Sequence, residues 1–230
     1  MKKVLLIVLL ITQDIFTILP VHVRTQCVAF ARRCLLPEGR ETIDSMFFTP
    51  DQTFVAKQVM VGLIDAEQEK IQCALFRLTD HDITQALIDA HKRGVVVELL
   101  VDEGALGLEY HSTVSALESN GIDIYVYQPI ELFNAQNNYG KRLQQDLVGV
   151  FSALKHRFSK SYMSIMHHKT FIFYNTIGGS VITSGSLNPT YAAFSGNEEM
   201  VSVRSNPIFV ERWKKHFVKL QRRCTKRDYV

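Results

Sequence analysis

Two alternating periodicities across residues 46–127 constrain this chain more than any other feature. Residues 95–101 read VVVELLV, an apolar run of strand length interrupted only by Glu98. Such a run belongs to a strand covered on both faces. Before it, Ile83, Leu87 and Ala90 recur at helical spacing, with Asp80 or Asp82 as the start signal and Gly94 after Lys92-Arg93 as the stop. Residues 70–76, KIQCALF, form another buried strand. They follow a helix expected from Asp51 or Thr53 to about residue 68, with Val55, Val59 and Leu63 on one face. Residues 46–50, MFFTP, make a short strand that ends at Pro50. A helix over 109–120 stops at Asn120-Gly121, and residues 122–127 make a further strand. This alternation predicts an α/β domain whose mixed, mostly parallel sheet is flanked by helices.

The rhythm breaks at 128–162, which read as an insertion. Leu132, Phe133, Leu147, Val150 and Phe151 give it apolar patches, and Lys141, Arg142, Lys155, Arg157 and Lys160 give it charge. Strands are expected again at 163–173 and 179–184. A last helix carries the stripe Phe209, Trp213, Phe217 and Leu220. With 230 residues, 47% of them hydrophobic, the chain holds one domain and not two. A net charge of +3 is too mild to name a partner.

Upstream, Lys2-Lys3 precede the apolar run VLLIVLLI, and a second apolar piece follows. The first run is too short to span a bilayer. Residues 1–23 are expected to be a cleaved signal, with an N-terminal membrane anchor as the alternative. The protein is then exported, to the periplasm or beyond. Residues 24–45 read as a polar lead-in, with order beginning at Met46 and a catalytic domain over 46–230. Four cysteines, Cys27, Cys34, Cys73 and Cys224, permit disulfides in an exported chain, and a Cys27–Cys34 pair is one option. Cys73 sits in a strand-like run, as a core thiol would. No C-x-x-C occurs, and no metal-ligand spacing appears.

The chemistry concentrates in His167-His168-Lys169 and in Gly185-Ser186-Leu187-Asn188. Alternate residues of a strand share a face, so His167 and Lys169 point one way and His168 the other. Gly-Ser-x-Asn after the next strand adds a close backbone approach, a hydroxyl and an amide. Together these groups suit a phosphate: a cation for its charge, neutral donors for its oxygens, and an imidazole for attack or proton transfer. His81 and His111 have no neighbouring motif. Asp102-Glu103, at the end of a buried strand, reads as structural.

The paired segments resemble the HKD motif, H-x-K-x4-D-x6-G-S-x-N, of the phospholipase D superfamily. The likeness extends over roughly residues 46–203, through Arg93-Gly94-Val95 and the stretch TYAAFSGNEEM. It is to the small single-motif members, the Nuc-type endonucleases and exported phospholipase D enzymes. The resemblance implies a metal-independent phosphodiesterase with no cofactor. His167 would be the nucleophile that forms a phosphohistidine, and Lys169 the phosphate-binding lysine. Ser186 and Asn188 would be polar contacts to substrate, and Glu199 the acid that holds the histidine ring. Two departures stand out. Tyr174 occupies the aspartate position, with Asn175 next, and the gap before Gly185 is four residues longer than the pattern.

Family chemistry needs two histidines, and this chain carries one motif copy. A homodimer with a shared site supplies the second. Three readings of the substrate stay open: membrane phospholipid, a nucleic-acid backbone, or none at all in a degenerate phosphate- or membrane-binding relative. Export favours phospholipid, with contact to a membrane surface.

Overall fold

The computed structural model describes residues 21–37, 41–103, 106, 113–128 and 165–227. The expected leader, up to residue 20, and nearly all of the expected insertion lie outside the described residues. Among the described residues, no helix is long and apolar enough to cross a membrane.

The chain begins with α1 (Val21–Leu35), β1 (Asp44–Thr49) and α2 (Thr53–Ala66). It continues through β2 (Lys70–Leu75), α3 (His81–Lys92), β3 (Val96–Asp102), α4 (Val114–Ser119) and β4 (Asp123–Tyr127). After these come β5 (Lys169–Thr176), β6 (Gly179–Gly185), α5 (Tyr191–Ser195), β7 (Glu199–Arg204), α6 (Pro207–Gln221) and β8 (Cys224–Lys226). Asp80 caps α3 as expected, its carboxylate accepting the amides of Asp82 and Ile83.

The eight strands form one mixed sheet in the order β1-β7-β6-β5-β2-β3-β4-β8. Its parallel part is smaller than the sequence rhythm implies. Among the described residues, only β2–β3 and β3–β4 pair in parallel, where helices α3 and α4 form the crossovers. Five other pairings are antiparallel. Part of the reason is loop length. Two residues, Ile177-Gly178, join β5 to β6, and so short a link allows only a hairpin.

Two cores cover the sheet. On one face, Leu75, Leu99, Phe171 and Phe173 pack with α1, α2, α3 and α5. On the other, Ala74, Leu100, Ile172 and Ile182 meet Val210, Phe217 and Leu220 of α6.

The segment read as a polar lead-in is corrected. Order does not begin at Met46, because α1 precedes it, and Cys27, Ala31 and Leu35 at four-residue spacing are fully buried. Arg24, Arg32 and Arg33 disguise that narrow apolar stripe. Gly62 explains how closely α1 meets α2: a Cβ there would sit 2.5 Å from the carbonyl oxygen of Cys27 and 2.8 Å from the Ala31 Cβ. All four cysteines lie among the described residues, and no disulfide joins any two of them. A Cys27–Cys34 bridge is excluded by geometry. Seven residues along one helix separate the two by about 10 Å of rise, beyond disulfide reach. Cys73 is a fully buried core thiol.

Candidate active site

The residues of interest gather at one edge of the sheet. There the C-terminal ends of β2, β3 and β6 meet the N-terminal ends of β5 and β7. Lys169 opens β5 opposite Leu75 of β2. It is only 7% exposed, and its ammonium donates to the carbonyl oxygen of His167 at 3.1 Å. Burial lowers its pKa; Glu199 opposes that shift and Arg77 adds to it. A buried cation whose charge is disfavoured gains from any anion that arrives.

His167 lies exposed just before the strand. Its ring centroid is 4.6 Å from that of Phe76. The Lys169 Nζ and the Arg77 guanidinium carbon lie over that same ring, at 5.0 Å and 5.4 Å from its centroid. Loss of hydration lowers the His167 pKa first, then the charge of Lys169; Asp102 opposes, and Arg77 lowers it further. The imidazole is thus held toward its neutral form, the form in which a nitrogen lone pair attacks.

His168 faces away, as strand alternation requires. It packs edge-on against Trp213 of α6, and its Nε2 lies 3.3 Å from that of His216. Asp102 ends β3 beside the site. It is buried, and its Oδ2 accepts the amide of Met166, the residue before His167, at 2.6 Å.

The Gly-Ser-x-Asn turn follows β6. A Cβ on Gly185 would run into the Met200 carbonyl oxygen, so only glycine lets β6 and β7 approach here. Ser186 ties the same junction: its amide donates to the Met200 oxygen at 3.0 Å, and its hydroxyl accepts the Met200 amide at 3.1 Å. The side-chain oxygen of Asn188 is buried without a hydrogen-bond partner. That oxygen is an acceptor and calls for a donor, so the end of Asn188 that suits a phosphate oxygen is its NH2 group.

Glu199 opens β7, and its charge acts on Lys169. Its amide donates to Thr49 Oγ1 at 3.1 Å and its carboxylate accepts from Asn197 at 3.3 Å. Among the described residues no hydrogen bond joins it to His167, so the ring-holding contact is not made within the single chain. The acid whose charge His167 feels is Asp102.

Tyr174 stands clear of the site. Five residues along β5 from Lys169, it is about 17 Å away at strand rise, and it points to the α6 face. Its hydroxyl donates to Gln72 Oε1 at 2.8 Å, and Lys214 sits 4.2 Å over its ring. The carboxylate at that end of β5 comes from Glu67, which is 2% exposed. It accepts the amides of Gln68, Glu69, Lys70 and Asn175 at 2.8–3.2 Å. Sequence reasoning missed Glu67, Phe76 and Arg77, none of which sits in a motif. Among the described residues no group of three or more His, Cys, Asp or Glu is placed to hold a metal ion.

His-x-Lys and Gly-Ser-x-Asn brought side by side on neighbouring strand ends is the phospholipase D-like arrangement. The family model described as "Cardiolipin synthase, PLD-like domain" matches residues 60–221, and the chain belongs to that family. Among curated relatives, it is 24% identical to the mitochondrial cardiolipin hydrolase of Xenopus laevis over 163 residues, 71% of this chain and 59% of that protein. It is 24% identical to the protein of the same name from Danio rerio over 199 residues, 86% of this chain and 66% of that one. The chain therefore spans less than two thirds of the length of either. Among solved structures, NucT from Helicobacter pylori superposes with a TM-score of 0.63 at 18% identity, covering 80% of this chain and 98% of that one. The phospholipase D family member Nuc from Salmonella typhimurium gives 0.58 at 21% identity, covering 81% and 98%. Both likenesses concern the fold.

Proposed function

We propose that this chain is a phosphodiesterase that uses His167 as a covalent nucleophile. One observation carries the reading: buried Lys169, the side-chain amide of Asn188 and the exposed, neutral-leaning imidazole of His167 converge at one sheet edge. The imidazole nitrogen attacks phosphorus, and the N–P bond forms as the P–O bond to the leaving alcohol breaks. The Lys169 ammonium and the Asn188 NH2 group donate to the non-bridging oxygens as charge builds on them. A second imidazolium gives its proton to the leaving oxygen. Water then attacks phosphorus, yields its proton to that imidazole, and breaks the N–P bond to free a phosphate monoester and His167.

The second imidazole belongs to a second copy of the chain. A two-fold dimer sets two His167 side chains around one phosphate, and each copy adds its Lys169 and Asn188. Ser186 shapes the turn through Met200 and offers its hydroxyl to substrate. The chemistry asks for no metal. Hydrolysis of bis-p-nitrophenyl phosphate in EDTA, abolished by His167→Ala, tests this reading; full activity in the variant overturns it.

Phospholipid is the substrate we favour. Ile165 and Tyr191, 59% and 58% exposed, lie two residues before His167 and three after Asn188, and give the site an apolar rim suited to a bilayer surface. The names of the curated relatives agree. Export through residues 1–23 would place the enzyme where it meets lipid. Vesicles and single-stranded DNA offered together separate the possibilities. Lipid hydrolysis with intact DNA supports this substrate; DNA cleavage that fades with salt, vesicles untouched, identifies a nuclease.

A further inference from the structure

The loop after β2 carries a residue that no motif accounts for. Phe76 extends the β2–β5 pairing by one step, its amide donating to the His168 carbonyl oxygen at 2.7 Å. Three residues on, the amides of Thr79 and Asp80 both donate to the Pro189 carbonyl oxygen at 3.0 Å. The loop is thereby tied at one end to the His-x-Lys segment and at the other to the residue after Asn188. Arg77 lies between these anchors, exposed, with its guanidinium against the Phe76 ring.

That ring organises three groups. His167 lies against it, and Lys169 and Arg77 lie over it at similar distances. Lys169 is buried, at the floor of the site, while Arg77 is at its rim. The two cations therefore meet different parts of a substrate. A phosphodiester carries one negative charge, and the floor lysine suits it. A planar guanidinium at the rim suits a further anion with paired oxygens, which is the geometry of another phosphate.

We propose that Arg77 is a specificity-determining residue of this site: a second cation, beside Lys169, that recognises a second phosphate next to the scissile diester. Diesters flanked by another phosphate are then preferred over isolated ones. The inference rests on the phosphodiesterase reading, but it is tested first by binding, which does not need turnover. Calorimetry on the full chain compares inorganic pyrophosphate with orthophosphate. Wild type is expected to bind pyrophosphate at least tenfold tighter, Arg77→Gln to lose that preference, and Arg77→Lys to keep part of it. Turnover then compares cardiolipin with phosphatidylglycerol, two phosphates against one, and a 5′-phosphorylated dinucleotide with its unphosphorylated form. The ratio of kcat/KM within the pair that reacts should fall at least tenfold in Arg77→Gln. Which pair reacts identifies the source of the second phosphate. Equal affinity for the two anions in wild type, or a preference untouched in Arg77→Gln, overturns the proposal. A pyrophosphate preference without hydrolysis of any diester leaves Arg77 in place and sinks the phosphodiesterase reading instead.

Discussion

Asp102 holds the amide of Met166 at 2.6 Å, and this bond fixes the chain one residue before His167. Both residues are buried, so the bond is not replaced by water when lost. Asp102→Ala is expected to destabilise the protein by about 1–3 kcal/mol, the penalty for an orphaned buried donor. Asp102→Asn keeps an acceptor oxygen and should recover most of that loss in urea titrations. Its effect on rate is different. Without the carboxylate's charge, the His167 pKa falls further, and the acid limb of the rate profile moves to lower pH. A rate profile identical to wild type in Asp102→Asn would contradict the electrostatic link.

The pH dependence of activity has a definite sign. His167 attacks as the neutral imidazole, and its pKa is lowered from 6.5 by lost hydration and by Lys169 and Arg77. The acid limb of kcat/KM should therefore fall below pH 6.5. Arg77→Gln removes one of the lowering charges, so its acid limb should shift upward. A downward shift in that variant would show that the guanidinium does not act on His167.

Tyr174 departs from the family motif without touching the phosphate pocket. Tyr174→Phe is expected to leave hydrolysis within about twofold of wild type, and to cost about 1 kcal/mol through the lost bond to Gln72. Activity assays beside denaturant midpoints check both parts. A tenfold loss of rate would mean that the position acts on the site after all.

Glu67 should matter for folding and not for chemistry. Its carboxylate receives four backbone amides from the β2 entry and the far end of β5. Glu67→Ala is expected to lose about 3 kcal/mol or more, since bonds to a charged acceptor are the stronger kind. Thermal and urea unfolding measure it. A change below 1 kcal/mol would rule out this role.

Much of the fold was legible because period reveals strands and helices. β2, α3 and β3 lie close to where the apolar patterns put them, and Asp80 caps as its position suggests. Strand direction was not legible, because pairing partners are set by contacts distant in sequence. β5 lies antiparallel to β2 across nearly a hundred residues of chain. α1 was missed because a one-residue-wide apolar stripe is hidden among arginines, although it buries completely against Gly62. At the site, His167, Lys169 and Asn188 were readable as a spaced motif. Phe76 and Arg77 were not, since their place depends on how the loop after β2 is tied to Pro189 and His168. The charges around the site depend on tertiary placement in the same way: Glu199 acts on Lys169, and Asp102, at the end of β3, acts on His167.

The central claim is that His167 forms a covalent bond to phosphorus. Rapid acid-free quenching of the protein during turnover of bis-p-nitrophenyl phosphate, followed by peptide mass spectrometry, tests it directly. The peptide containing His167 and His168 should carry the substrate's phosphoryl part on His167. The adduct should vanish in His167→Ala and persist in His168→Ala. An adduct on any other residue, or unchanged turnover by His167→Ala, would contradict the account.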